Sequence, residues 1–475
     1  MRKIIVKNNI QTSFSIYVSI VPAIFLITML FSSRLQSLVP VMIGFMISYI
    51  ITVLFSIRYF GFLSLYNIFL YTSAFFVYDG FLFTILGLEN FLYDDFPVKH
   101  TFDEDIGFAF IIVCFVTVYV MHISYCIVDK SKYKRNHVLP ININLNKMGK
   151  FLMIVFFFPV IAKLLIQFNY IRSHGYIALY SGELAELKYP FWTAGSFIFF
   201  TCGYCLFLAS NPKKREYLFY TLLCGLVYFA NSLKGQRGGF LSIIIYFVYY
   251  YTKHYNVKIT LKKILVLLVF GVSFIVIMGN VRSSYGDNNK SSQNKALREI
   301  IEHTIYVQSR SRAVPMYIIQ GDLEYHKFPF VLSSLLNPLL RIIYPSESGQ
   351  TKTVAEHYNK MSAVVTYNLS KQSYLNGKGL GSAFIAEAYD FYGYIGLILF
   401  SILLARFFVF CDFTNLNFKR KFVPLLFFVL QGIPILPRSH IFRFIDNDFT
   451  KIIFAYVFLI ICMNSKYIFK IQNGK

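Results

Sequence analysis

The chain has 475 residues, of which 56% are hydrophobic and 19% aromatic, while only 15% are charged. Because soluble domains average about 25% charged residues, this composition excludes an ordinary soluble domain. The formal net charge of +23 lies mostly in the gaps between apolar segments, where it acts as an orientation signal. A nucleic-acid-binding protein would concentrate such charge on one face of a soluble domain, so nucleic acid is excluded as a partner.

Apolar segments along the chain predict membrane-spanning helices, because roughly 20 mostly apolar residues cross the hydrocarbon core of a bilayer. In chain order they are Ile16–Phe31, Leu38–Ile57, Phe62–Thr84, Ile106–Val128, Phe151–Ile171, Phe191–Ala209, Tyr217–Ser232, Phe240–Tyr251, Ile264–Asn280, Phe391–Phe410, Phe422–Leu436 and Ile452–Met463. The sequence therefore predicts an all-α polytopic membrane protein with about twelve transmembrane helices.

The sign of the charge alternates between successive gaps. The N-terminal tail carries Arg2, Lys3 and Lys7, the gap at 89–105 is acidic, and the gap at 129–150 is basic again. The positive-inside rule produces this pattern when the Lys/Arg-rich loops stay in the cytoplasm. We therefore expect both termini to be cytoplasmic and the acidic gaps to face outside.

One gap, Val281–Asp390, is much longer than the others. Long loops translocate regardless of charge, and the flanking spans place this one outside. Apolar periodicity predicts helices at Asn294–Gln308, at Phe330–Ile343 with a break at Pro338, and at Val354–Tyr367. The chain then divides into spans 1–9 at residues 1–281, an external helical loop at 282–390, and spans 10–12 at 391–475.

A set of arginines is predicted at the external level. They are Arg237, Arg282, Arg310, Arg312, Arg341, Arg438 and Arg443. A guanidinium matches phosphate oxygens bidentately, and the glycines around Arg237 would let backbone N–H groups approach an anion. The set predicts a pyrophosphate clamp. Interface anchoring is the competing interpretation for Arg438 and Arg443, and a solvated helix face for Arg310 and Arg312.

Two ionisable residues lie within predicted spans, Asp79 in the third and Lys163 in the fifth. Such residues usually face the bundle interior and are functional candidates. A structural pairing for Lys163 and an interfacial position for Asp79 are the alternatives. The external loop has no H-E-x-x-H or EF-hand pattern, so the sequence predicts neither a metal site nor a cofactor.

A base that deprotonates a substrate would have to be an acid or a histidine at the same external level. The residues that qualify by position are His303, Glu387, Asp390 and His440. From these we select Glu387 and His303 as the candidate catalytic residues. Glu387 stands in a run rich in small residues just before the tenth predicted span.

Four features together resemble the Wzy-type polymerases of bacterial O-antigen and capsular repeat units. They are the plan of about twelve spans, the late external loop, the turn Lys234–Phe240 with Arg237, and the run Gly379–Phe400, GLGSAFIAEAYDFYGYIGLILF. The stretches Gly279–Ser284 and Gln308–Arg312 are also similar to that family. Ser309 departs from it, because some relatives have glycine there.

The resemblance implies an enzyme of the bacterial inner membrane that joins undecaprenyl-pyrophosphate-linked oligosaccharide units on the outer face, for lipopolysaccharide or capsule. The reducing-end sugar of the growing chain would leave its pyrophosphate and pass to a hydroxyl of the next unit. On this reading Arg237 and Arg282 are the first candidates to hold the pyrophosphate, and Glu387 or His303 is the base. The implied partners are the lipid-linked oligosaccharide, membrane lipid and a chain-length regulator protein.

Three other functions compete with this one. An O-antigen ligase shares the plan and the lipid donor but transfers the finished chain to another acceptor. A flippase or transporter predicts paired halves and charges along a central path, whereas the large loop and the external arginines argue against it. A non-catalytic scaffold would not need arginines at one depth.

Overall fold

The computed structural model describes residues 2–472 except for 95–97, 130–138, 181, 236, 261, 264–265, 267–268, 272, 275, 279–311, 322, 346–348, 415 and 417–418. Within the described residues the regular secondary structure is helical apart from one small antiparallel ribbon. In this ribbon β1 (Tyr93–Asp94) pairs with β2 (His100–Thr101).

Ten α-helices lie in the described part of residues 2–254. They are α1 (Arg2–Leu35), α2 (Val39–Phe60), α3 (Leu65–Ser73), α4 (Asp79–Ile85), α5 (Glu104–Ile127), α6 (Ile143–His174), α7 (Glu183–Glu186), α8 (Ser196–Ala209), α9 (Lys214–Ser232) and α10 (Arg237–His254). A π-helical turn at Ala74–Tyr78 joins α3 to α4, and short 3-10 turns lie at Tyr176–Leu179 and Phe191–Thr193.

After the residues 279–311, shorter helices precede the final long ones. They are α11 (Ala313–Gln320), α12 (Phe330–Ile343), α13 (Lys352–His357), α14 (Met361–Leu369), α15 (Lys371–Leu375), α16 (Phe384–Asp390), α17 (Tyr394–Phe413), α18 (Val423–Gly432) and α19 (Arg443–Gln472). Two 3-10 turns, Arg420–Phe422 and Ile433–Arg438, flank α18.

Eight helical stretches of the described chain are long and apolar enough to cross a membrane. They are Ser13–Leu35, Val39–Phe60, Leu65–Ile85, Glu104–Ile127, Ile143–His174, Phe191–Ala209, Tyr394–Phe413 and Arg420–Arg438. Three further helices, α9, α10 and α19, have 19, 18 and 30 residues and coincide with the seventh, eighth and twelfth predicted spans. The prediction of an all-α polytopic membrane protein is confirmed. The ninth predicted span, Ile264–Asn280, lies partly outside the described residues.

The helices pack in two groups. In the first, α17 packs along α5 and α3, and α2 contacts α1, α4 and α5. In the second, α6 packs along α8, α19 contacts α8 and α18, and α10 contacts α9 and α18. The 3-10 turn after α18 contacts both α3 and α10, so it joins the two groups.

Helices α6 and α8 approach each other closely at two glycines. A Cβ added to Gly149 would lie 2.6 Å from the backbone nitrogen of Phe207, and one added to Gly203 would lie 2.8 Å from Cβ of Leu152. Small residues let helix backbones touch in a membrane, where the hydrophobic effect does not drive association. This contact fixes α6, which carries Lys163, against the rest of its group.

A sharp corner joins α16 to α17 and accounts for the G-x-x-G in the run that carries the family resemblance. Gly393 has φ +61°, in the left-handed region that favours glycine. A Cβ on Gly396 would collide with the backbone carbonyl oxygen of Phe391. The corner sets α16, with Glu387, at the end of α17.

A buried carboxylate also ties the two groups of helices together. Asp412, at the end of α17, accepts hydrogen bonds from the backbone nitrogen of Leu65 at 2.8 Å and from the hydroxyls of Tyr125 at 2.9 Å and Tyr249 at 3.1 Å. Its oxygens therefore cap the first turn of α3, where backbone N–H groups have no helical partner.

Two predictions about the external loop differ from the structure. The predicted helix Val354–Tyr367 is interrupted at Asn359, which has φ +48°, a conformation that asparagine tolerates better than most residues. Helix α12 continues through Pro338, where a break was predicted. The predicted helix Asn294–Gln308 lies outside the described residues.

Candidate active site

A cavity of about 1000 Å³ lies between the two groups of helices. The first group contributes α17 and the turn before α4, and the second contributes α6, α8, α9, α10, α18 and α19. Residues 433–443, which follow α18, cover one end. The cavity has an apolar part and a charged part. Apolar side chains line the part along the middle of the spans, and charged side chains line the end covered by residues 433–443.

The charged lining of the cavity is strongly cationic. Among the described residues, the basic side chains are Lys163, Lys234, Arg438, Arg443 and Lys451, against the single carboxylate of Asp448. That carboxylate accepts a hydrogen bond from Lys451. A cleft of one sign with low-dielectric walls focuses the field and concentrates the opposite charge, so the cavity is suited to a multiply charged anion.

Arg443 keeps its charge available to the cavity. No carboxylate of the described residues lies within ion-pair distance of its guanidinium. The nearby Asp446 is instead held by Lys360 at 2.8 Å and by Arg341 at 3.1 Å. Arg438 lies with its guanidinium 5.3 Å from the ring centre of Phe76, a distance that suits a cation–π contact.

The glycine-rich turn that was predicted to approach an anion borders the same cavity. Gly235, Gly238 and Gly239 all line it, and Gly235 has φ +94°. Gly238 and Gly239 lie in the first turn of α10, which begins at Arg237. The first N–H groups of a helix lack helical partners and favour anions, so this end of α10 adds donors to the cationic lining.

The two lysines nearest this turn are held by neutral groups. Lys234 donates from Nζ to Oε1 of Gln167 at 2.9 Å, and Nζ of Lys163 lies 4.9 Å from the ring centre of Tyr189. Burial, and then the positive charge of Lys163, lower the pKa of the Lys234 ammonium to about 8. An incoming anion would reverse that shift by favouring the charged form.

An imidazole–carboxylate pair stands beside the cations. Glu387 of α16 is completely buried, and its Oε1 pairs with Nδ1 of His440. The same carboxylate accepts hydrogen bonds from the backbone nitrogen of Ile441 at 2.7 Å and from the hydroxyl of Ser382 at 3.3 Å. His440 lines the cavity, so Glu387 orients the ring and leaves Nε2 as the nitrogen available for proton transfer.

The model of the family described as O-antigen polysaccharide polymerase Wzy matches residues 14–471. The chain belongs to this family. No curated protein and no solved structure matches it. The protein is thus a multi-pass membrane polymerase of the glycosyltransferase type that acts on O-antigen repeat units.

Within this Wzy polymerase the predicted arginines fall into three sets. Arg438 and Arg443 line the cavity, and the backbone of Arg237 begins the helix that borders it. Arg282, Arg310 and the predicted base His303 lie outside the described residues. Arg312 and Arg341 form ion pairs with carboxylates that do not line the cavity.

Arg312 and Arg341 contact carboxylates away from the cavity lining. Arg312 is almost fully buried, pairs with Glu89, and lies against Gly80, where an added Cβ would be 2.9 Å from its guanidinium. Arg341 is half exposed and pairs with Asp446. A pyrophosphate role for these two arginines stays a prediction.

Other residues of the Wzy site were not selected from the sequence. His440 qualified by position, but its pairing with Glu387, 53 positions away in the chain, has no sequence signal. Lys451 lies nine residues into α19, and Lys234 belongs to the turn that was singled out for Arg237; each could have been found as a cation near a predicted span. Among the described residues, no group of three His, Cys, Asp or Glu side chains is arranged to hold a metal ion.

Proposed function

We propose that the polymerase transfers a growing chain from undecaprenyl pyrophosphate to the next lipid-linked repeat unit, on the outer face of the plasma membrane. The observation that carries this proposal is the cavity with five cationic side chains against one carboxylate, next to the His440–Glu387 pair. A leaving pyrophosphate needs positive charge, and an attacking hydroxyl needs a base. Both requirements meet in this one cavity.

Each of these residues has a separate role in the proposed transfer. The oxygen of the acceptor hydroxyl attacks the anomeric carbon of the donor sugar, and the bond from that carbon to the pyrophosphate oxygen breaks. The pyrophosphate leaves with the electron pair and is stabilised by Arg438, Arg443 and Lys234. Nε2 of His440 takes the hydroxyl proton, while Glu387 stabilises the imidazolium that forms. Guanidinium and ammonium groups supply the positive charge, so the proposed reaction uses no metal ion or cofactor.

The orientation in the membrane follows from the loop charges. The basic loops and both termini are assigned to the cytoplasm by the positive-inside rule. Residues 433–443 and the α9–α10 turn then fall on the outer side. Undecaprenyl-linked oligosaccharide and bilayer lipid are the proposed partners, and a chain-length regulator is a further partner that the family implies.

Deleting the gene should leave surface glycan that carries single repeat units in place of long chains, because units are still exported and attached. The sugar-length ladder on an electrophoretic gel measures this outcome. Loss of all surface glycan would identify a flippase instead. Long chains that accumulate on the lipid carrier without reaching their final acceptor would identify a ligase.

The pKa of Lys234 predicts that diphosphate binding depends on pH. The ammonium loses its charge as the pH rises through about 8, so affinity for inorganic diphosphate should fall about tenfold above that pH, roughly the value of one charge-assisted hydrogen bond. Lys234→Arg, whose guanidinium stays charged, should lose much less affinity over the same range. Competition binding one unit below and one unit above that pH measures the effect. An equal fall in the wild type and in the arginine variant would contradict the assignment.

A further inference from the structure

The middle of the cavity is lined by one face from each of two helices. On α17 the lining residues are Phe400, Leu403, Leu404 and Phe407, and on α18 they are Leu425, Phe428 and Val429. Residues spaced i, i+3, i+4 and i+7 lie on one face of a helix. Each helix therefore presents an apolar stripe to the cavity.

These stripes are not used to join the two helices. Helix α17 packs along α5, and α18 packs against α8, α10 and α19, so the two helices belong to different groups. In a close-packed bundle such a stripe would be filled by a neighbouring helix. Here the two stripes instead form the walls of an apolar groove, which we name the α17–α18 groove.

The α17–α18 groove reaches the surface of the bundle that faces lipid. Leu403 lines the cavity, yet 54% of its surface is exposed. On the same helix Leu399 is 43% exposed and does not line the cavity. A chain-like molecule in the bilayer can therefore reach the cavity from the side, past Leu403.

The groove is continuous with the cationic end. Helix α18 ends at Gly432, and the next residues, 433–443, carry Arg438, His440 and Arg443. From Leu425 to Gly432 the helix rises about 10 Å. A ligand that fills both parts has an anionic head outside and a hydrocarbon tail pointing into the membrane.

We propose that the α17–α18 groove binds the first isoprene units of the donor's polyprenyl tail, and that the donor enters sideways from the bilayer. This inference rests on the proposed function, because it assumes that the cationic end holds the diphosphate. The groove length of about 10 Å is a third of the ~30 Å hydrocarbon core, so most of the tail stays in lipid. Lipid is as apolar as the groove, so moving the tail from lipid into the groove gives no hydrophobic gain. The groove instead recognises the tail by its shape, and it aligns the diphosphate with Arg438 and Arg443.

Filling the groove tests the inference. Leu404→Trp should weaken binding of farnesyl diphosphate about tenfold, because the indole occupies the space of the tail; tenfold corresponds to about 1.4 kcal/mol. Inorganic diphosphate, which has no tail, should bind equally to the variant and to the wild type. Leu399→Trp is the matched control on the lipid-facing side of α17, and it should change neither affinity. Competition binding in nanodiscs measures all three proteins.

The outcomes separate the groove from the proposed function. Equal weakening of both ligands by Leu404→Trp, or no weakening of farnesyl diphosphate, would overturn the groove while the diphosphate site stands. Failure of the wild type to bind either ligand would overturn the proposed function itself. If Leu404→Trp does not fold, as judged by thermal melting, Val429→Trp fills the groove from the facing helix. A prenyl diphosphate with a photoreactive first isoprene should also label α17 and α18 in the wild type, and labelling of other helices only would contradict the inference.

Discussion

Arg443→Ala is expected to abolish long-chain polymer and to lower kcat/KM for the lipid-linked donor by about 10²–10³-fold, the usual loss when one preorganised donor to developing negative charge is removed. The physical reason is that Arg443 lines the cavity and has no carboxylate of the described chain in ion-pair distance. Its charge is therefore available to the leaving diphosphate. Steady-state kinetics in proteoliposomes measures the loss.

Two further variants test whether the loss is specific to the guanidinium of Arg443. Arg443→Lys keeps the charge but loses the bidentate fork, so about a tenth of the wild-type rate should remain, since one charge-assisted hydrogen bond is lost. Arg172→Ala removes an exposed arginine near the end of α6, outside the cavity lining, and should leave the rate unchanged. Wild-type chain length in Arg443→Ala, or an equal loss in Arg172→Ala, would contradict the role of Arg443.

His440→Ala is expected to lower kcat by about 10²–10⁴-fold, the contribution of a positioned general base, without weakening diphosphate binding. Glu387→Gln should lower kcat less, because the amide still fills the buried site while it no longer stabilises the imidazolium. In both variants the KM for the donor should stay near the wild-type value. A purely structural role for Glu387 would instead reduce the amount of folded protein and affect KM and kcat together.

The region between α10 and α17 contains a matched control for this pair. Nε2 of His326 lies 3.1 Å from Oδ1 of Asp390, so it is a second imidazole–carboxylate contact, and neither residue lines the cavity. His326→Ala should leave kcat unchanged when measured beside His440→Ala. Equal rates in His440→Ala and the wild type would remove His440 from the mechanism.

The number and order of the membrane-spanning helices could largely be predicted from the sequence, because each span is a separate apolar segment of sufficient length. Hydropathy and length predicted α17, and a turn rich in glycine predicted the start of α10. The run that contains Glu387 carries the family resemblance, and the structure accounts for two of its glycines: Gly393 has φ +61°, and Gly396 is packed against the backbone of Phe391.

The sequence did not predict which charged side chains lie together in the fold. Whether an arginine faces the cavity depends on which carboxylate meets it in the fold, and that partner is distant in the chain. Arg312 pairs with Glu89, while Asp446 forms its ion pairs with Arg341 and Lys360 and not with Arg443.

The division into two groups of helices explains why one cavity can serve a lipid-linked substrate. Its walls come from different groups, Leu403 in its lining is 54% exposed, and residues 433–443 contribute to its charged end. The same segment holds His440 against Glu387. We therefore expect α16, α17 and α18 together to position the diphosphate head, the polyprenyl tail and the base.

The most direct test of the account is a cryo-electron microscopy structure of the polymerase with undecaprenyl diphosphate bound. We expect the diphosphate oxygens to lie within hydrogen-bond distance of Arg438 and Arg443, with Nε2 of His440 facing the same end of the cavity. A diphosphate held by Arg312 or Arg341, or located outside this cavity, would contradict it.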